Sequence, residues 1–166
     1  MRMRYIWFNL LTIAILVGAA GCRQPDGPMP EPNAEDQNKI GDVSRDLLAV
    51  ASRSASAVHD LSEDLSNFAQ SNEGARHGAE MSGRLASSLG GTKLSQDAAL
   101  AMAHDLYIAF HARELSRGQV AKLRENLGAV FAETGVQQNS AERVLEQVEL
   151  VQADVTIAKR RWWQVF

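Results

Sequence analysis

All four prolines of this chain, Pro25, Pro28, Pro30 and Pro32, fall within eight residues, and none follows between Asn33 and Phe166. Proline fixes φ and lacks a backbone donor, so it breaks helix interiors. The long stretch without it is rich in alanine and poor in β-branched clusters, a composition that favours helix. Its apolar residues recur at three- and four-residue spacing, the period of amphipathic helices. The expected fold is all-α: an antiparallel helical bundle of four to five helices after a disordered Pro-rich tether. The chain has one cysteine, Cys22, so no internal disulfide braces it. About 120 residues of body are enough to bury a self-sufficient core.

The periodicity places five helices. The first spans residues 39–69, with Ile40, Leu47, Ala51, Val58, Leu61, Leu65 and Phe68 on one heptad stripe and Ser44 and Ser54 in its remaining slots. The second, 72–89, carries Gly74, Gly78 and Gly83, each costing up to about 1 kcal/mol against alanine. Small residues there suit close helix packing, and Ala75, Ala79, Leu85 and Leu89 mark its apolar face. The third, 96–114, has two apolar faces: Ala99, Met102, Leu106 and Phe110 on one, and Leu100, His104, Ile108, His111 and Leu115 on the other. A helix apolar on two sides is central in a bundle or buried in an oligomer. The fourth, 117–134, opens with Ser116 and Gln119 spelling a capping box and closes at Gly135. The fifth starts after Asn139 and runs to Trp163, with Val144, Val148, Val151, Val155, Ala158 and Trp162 on one stripe. Aligning Leu94-Ser95 with Leu115-Ser116 superposes Met102 on Leu123, Leu106 on Leu127 and Phe110 on Phe131. Two capped helices paired in a hairpin produce such a repeat.

The N-terminal segment constrains location. Arg2 and Arg4 precede an apolar run, Tyr5 to Gly21, interrupted by Asn9 and Thr12, and Ala19-Ala20-Gly21 leads into Cys22. A charged start, an apolar stretch and a small-residue box form a secretory signal. With the cysteine placed directly after the box, the segment resembles the signal peptide of bacterial lipoproteins, lipobox included. That resemblance implies residues 1–21 as a cleaved signal, a lipidated Cys22 as the mature N-terminus, 22–38 as a flexible tether, and 39–166 as the helical domain. It implies the membrane as partner through lipid on Cys22. Arg23 follows the cysteine where an Asp signals inner-membrane retention, which points to the outer membrane, facing the periplasm. Extended, the tether would reach about 50 Å. Removing Arg2 and Arg4 takes the formal charge from −3 to −5, which argues against a nucleic-acid partner.

Catalytic and metal chemistry have little to draw on. His104 and His111 share a face, but seven residues put them about 10.5 Å apart along the axis, too far for one ion whose donors lie near 2.1 Å. His77 and Glu80, His111 and Glu114, and His59 and Glu63 have two-ligand spacing. Di-iron bundles place the acid three residues before the histidine, whereas Ser56, Gly74, Ala101 and Ile108 stand there. No Cys-x-x-Cys-His, Gly-x-Ser-x-Gly or phosphate-binding glycine loop occurs. The expectation is a non-enzyme without cofactor or metal: a membrane-anchored envelope lipoprotein acting as a helical interaction or scaffold module. Its candidate interaction face is His104, Ile108, His111 and Trp163, for an envelope protein or a second copy of the chain. Leu115-Ser116-Arg117-Gly118-Gln119 is similar to the Leu-Thr-x-x-Gln motif of small periplasmic stress chaperones and metal-response proteins. That similarity implies, as the alternative, a periplasmic helical stress chaperone or metal-responsive protein. Trp162-Trp163 beside Arg160-Arg161 is a candidate membrane-interface tip.

Overall fold

The computed structural model describes residues 27–69, 71–112 and 115–162, with side chains described through Ala153. Those residues hold six helices and no strand: α1 (Ala34–Ala51), α2 (Ala57–Phe68), α3 (Asn72–Leu89), α4 (Gln96–His111), α5 (Arg117–Thr134) and α6 (Gln138–Trp162). No helix among the described residues is long and apolar enough to cross a membrane.

The helix expected over 39–69 is two helices. Ser52 Oγ turns back to the carbonyls of Leu48 (2.9 Å) and Ala49 (3.0 Å). Arg53 then adopts a left-handed φ of 59°. Hydroxyls that bond their own backbone compete with helix propagation, as Ser52 does here at the head of the run Ser52 to Ser56. The break also resets the helical phase. Ile40, Ser44, Leu47 and Ala51 face the core, as do Leu61, Leu65 and Phe68, but Val58 is 40% exposed.

α1 also begins a turn before Lys39. Asn33 Oδ1 accepts from Asp36 N–H at 2.9 Å, and Glu35 and Asp36 occupy the first turn, where carboxylates suit the helix dipole. Residues 34–38 are therefore helix, not tether. The capping signals of α5 are present as expected: Ser116 and Gln119 form a reciprocal capping box and Gly135 closes the helix at φ 74°.

α3 packs on α2 through its small residues, at Gly74 and Gly78 instead of Ala75 and Ala79. Ala79 is exposed, whereas Gly74 and Gly78 are buried. A Cβ built on Gly78 would meet Ser66 N at 3.0 Å and the Leu65 carbonyl carbon at 3.1 Å. Ser66 Oγ donates to Ala75 O at 3.2 Å across the same seam.

α4 is the central helix. It packs against α1, α2, α5 and α6. Met102, Leu106 and Phe110 are buried on one side and Ile108 on the other. Of its second face Ile108 is buried, whereas Leu100 is half-exposed. The register residues Met102, Leu106 and Phe110 of α4, and Leu123, Leu127 and Phe131 of α5, are all buried, as a hairpin of two amphipathic helices requires.

The helices alternate in direction through α1 to α5, which gives the bundle two ends. At the far end Gly91 N–H donates to Ala51 O at 2.8 Å and Arg53 Nη2 to Gly90 O at 3.2 Å. At the near end lie the start of α1, the end of α2 and the end of α4, joined by the Phe68–Tyr107 ring contact. The segment 27–33 runs across this near end before α1 begins.

Candidate functional site

The near end is built by four elements around Tyr107, in the last turns of α4. Its ring meets Phe68 of α2 edge-on, with centroids 5.2 Å apart and planes at 88°. It stacks on His111, one turn along, at 4.8 Å and 18°. Its hydroxyl bonds Asp36 of α1, and this bond, helped by Lys39, holds the Asp36 carboxyl below the usual carboxylate range. Burial, then the Asp36 carboxylate, pushes the Tyr107 phenol up. Asp36 is thereby a buried carboxylate with a matched donor, the arrangement such a group needs.

Against this cluster lies the segment 27–33. Met29 packs on the core, and Gln119 Nε2 donates to Gly27 O at 3.1 Å and Pro28 O at 3.3 Å. The same side chain accepts from Ser116 N–H through Oε1 at 2.9 Å. Gln119 thus closes the α5 capping box with one end of its amide and clasps the strap with the other. Between strap and α4 is a recess of about 150 Å³, lined by Pro30, Glu31, Asn33, Asp36, Tyr107, Ile108, His111 and Ala112. Gln119→Ala should cost about 1 kcal/mol through the lost cap and release the strap. The Met29 methyl NMR signal then moves to its random-coil position; a signal unchanged from wild type would show the clasp to be idle.

The residues singled out from sequence separate. Ile108 is 1% exposed and lies in the core, so of that face it is not available to a partner. His111 is half-buried at the recess. His104 is half-exposed and lies 3.9 Å from Asp105. Cys22, Glu114 and Trp163 lie outside the described residues. His77 Nδ1 is 2.7 Å from Gln147 Nε2, and Glu80 Oε2 is 4.0 Å from His77 and 3.3 Å from Gln147. Among the described residues no group of three or more His, Cys, Asp or Glu side chains is placed to hold a metal ion.

A second polar feature, absent from the sequence reading, is the α1–α2 groove of about 310 Å³, lined by Lys39, Asp42, Asp64 and Asn67. Asp46 sits beside it facing Asp64, and its Oδ2 is buried without a hydrogen-bond donor. Two ionised carboxylates offer each other only acceptors, so a proton between them converts repulsion into a hydrogen bond. Burial, then the Asp64 charge, raises Asp46 to about 6, and burial raises Asp64 as well. A carboxyl raised in the folded state stabilises below its unfolded value near 3.8, and that contribution is lost as pH rises through about 6. Asp46→Asn should therefore leave stability unchanged at pH 4 and increase it at pH 7.5. Solvent screening at this half-exposed pair limits the gain to about 1 kcal/mol. Urea melts at the two pH values check it; destabilisation at pH 7.5 would contradict the assignment. Asp105 is raised in the same way by burial, opposed by His104 and Asn126.

Comparison of the chain with protein-family models, with curated proteins and with solved structures gives no match.

Proposed function

We propose that this is a lipid-anchored protein of the bacterial cell envelope, a non-catalytic helical interaction module held on the outer membrane and facing the periplasm. The observation that carries the reading is the run Ala19-Ala20-Gly21-Cys22 behind a basic start and an apolar stretch. Two acyl chains on Cys22 give stable anchoring where one gives only marginal binding. An interaction role agrees with the chemistry of the body. Several of its buried polar groups are engaged by neighbouring side chains: Asp36 by Tyr107, His77 by Gln147, Asp105 by Asn126 and His104. The Leu115–Gln119 motif has a local task, as the α5 cap and strap clasp.

The strap changes the geometry of tethering. The chain is held to the body from Gly27 onward, so only the residues between Cys22 and Gly27 span the gap to the bilayer. Extended, they reach about 18 Å, not the 50 Å of a free tether. The near end therefore faces the membrane, and the far end, with its Arg53–Gly90 contact, points into the periplasm.

Fractionation of the native bacterium tests this. Wild type should sediment with outer membranes, and Cys22→Ala should lose that anchorage. Recovery of wild type as soluble protein, or in the inner membrane, would refute the anchor or its address respectively.

A further inference from the structure

We infer that Met29 is a redox-sensitive fastener of the strap: a peroxide oxidises its thioether to the sulfoxide, and the strap 27–33 then leaves the body. The chain has five methionines, Met1, Met3, Met29, Met81 and Met102. Met81 and Met102 are 0% exposed in the core, and Met1 and Met3 lie outside the described residues. Among the described methionines Met29 alone is half-buried, on a segment without helix or strand. Oxidation of methionine follows access to solvent, so a diffusible oxidant meets Met29 first.

The anchorage of the strap is slight apart from that side chain. Gln119 Nε2 donates to Gly27 O at 3.1 Å and to Pro28 O at 3.3 Å, both in exposed positions, where water readily replaces either partner. Gly27, Pro28, Pro30 and Glu31 are exposed, whereas Met29 packs against the core. Pro28, Pro30 and Pro32 fix φ along the strap, so docking orders little backbone and one apolar anchor suffices to hold it. In the oxidation the Sδ lone pair attacks one peroxide oxygen. The O–O bond breaks and an S–O bond forms. Sulfur loses two electrons, and the departing hydroxide takes the remaining proton and leaves as water. The product is polar, and its oxygen needs a donor wherever it is buried. Pro28 and Pro30, on either side, have no N–H to supply one. The sulfoxide therefore turns to water and takes the strap with it.

Release removes Pro30 and Glu31 from the wall of the recess beside Tyr107 and His111. The hold on the body recedes from Gly27 to Asn33, the cap of α1. The free tether then gains the residues between them, about 20 Å when extended. That lengthening rests on the lipid-anchor reading; the oxidation and the release do not. Methionine sulfoxide reductases reverse the step, two thiols becoming a disulfide as the oxygen leaves in water.

The test treats the purified protein with dilute hydrogen peroxide and reads each methionine by mass in its own peptide. We expect Met29 to gain one oxygen on the order of ten-fold faster than Met81 and Met102. Release is read by NMR at the Gln119 side-chain amide. After oxidation its signals should move to the position they hold in Met29→Gln, which supplies a polar side chain without peroxide, as the docked-to-released ratio falls about ten-fold. Met29→Leu keeps the apolar anchor, so its clasp should survive the same treatment. Met81 or Met102 oxidised as fast as Met29, an unmoved Gln119 signal in the sulfoxide form, or loss of the clasp in peroxide-treated Met29→Leu would each overturn the inference. The readings come from Met29 and Gln119 alone, so an unlipidated Cys22 would leave them unchanged.

Discussion

Phe68→Ala is expected to lower the stability of the bundle by about 3–5 kcal/mol. Phe68 is the last residue of α2 and is 1% exposed. Truncation leaves a cavity that the surrounding helices fill only in part, so lost transfer free energy and lost contacts add. It also removes the edge-on partner of Tyr107, a geometry worth about 0.5–1.5 kcal/mol beyond burial. The damage spreads to the near end, because Tyr107 holds Asp36 and borders the recess under the strap. A domain of this size has about 5–15 kcal/mol in total, so the variant loses a large share of its reserve. Equilibrium urea unfolding reads the effect, and Val58→Ala on the same helix, 40% exposed, is the control expected within about 0.5 kcal/mol of wild type. A Phe68→Ala midpoint close to the control's would contradict the packing described.

The second large effect concerns the α2–α3 seam. Gly78→Leu should cost about 3 kcal/mol, at the upper end of overpacking penalties. A side chain at Gly78 meets backbone, Ser66 N at 3.0 Å and Leu65 O at 3.2 Å, and backbone cannot swing aside as a flexible side chain does. The two helices must separate, which breaks the Ser66 Oγ to Ala75 O bond. Gly83, on the same helix, has nothing within 4 Å of its Cβ position. Gly83→Ala should therefore stabilise by up to about 1 kcal/mol, since only the propensity difference remains. Opposite signs for two glycines on one helix distinguish close packing from a general glycine effect. Gain of stability at both positions would show that α3 does not approach α2 as described.

Much of the fold was legible in the pattern. α3 and α5 have the boundaries that spacing and capping assigned them, and α4 is the two-faced central helix, because burial follows the 3.6-residue period directly. The break within 39–69 was missed because the heptad stripe continues through it on paper. The serine run 52–56 was the available signal, and Ser52 acts through backbone bonds that periodicity ignores. The start of α1 is not legible from apolar spacing, because Glu35 and Asp36 read as polar tether. Asn33 with Asp36 three residues on is a capping signature that would have placed it.

The site was harder to read. The Tyr107–Asp36 bond and the Asp46–Asp64 pair join residues far apart in sequence or on separate helices, and no local pattern encodes such pairing. Ile108 belongs by spacing to the candidate interaction face with His104 and His111, yet it lies in the core, since a second apolar stripe on a helix does not say what covers it. Gln119 was read as a cap, which it is. Its other amide group, clasping Gly27 and Pro28, follows only from where the chain returns.

The central claim is the lipid anchor on Cys22, held close to the body by the strap. Intact-mass analysis of the chain extracted from the membranes of its native cells is the most direct test. The account predicts a polypeptide of residues 22–166 carrying a diacylglycerol on the Cys22 thiol. A mass that retains residues 1–21, or an unmodified Cys22, would contradict it.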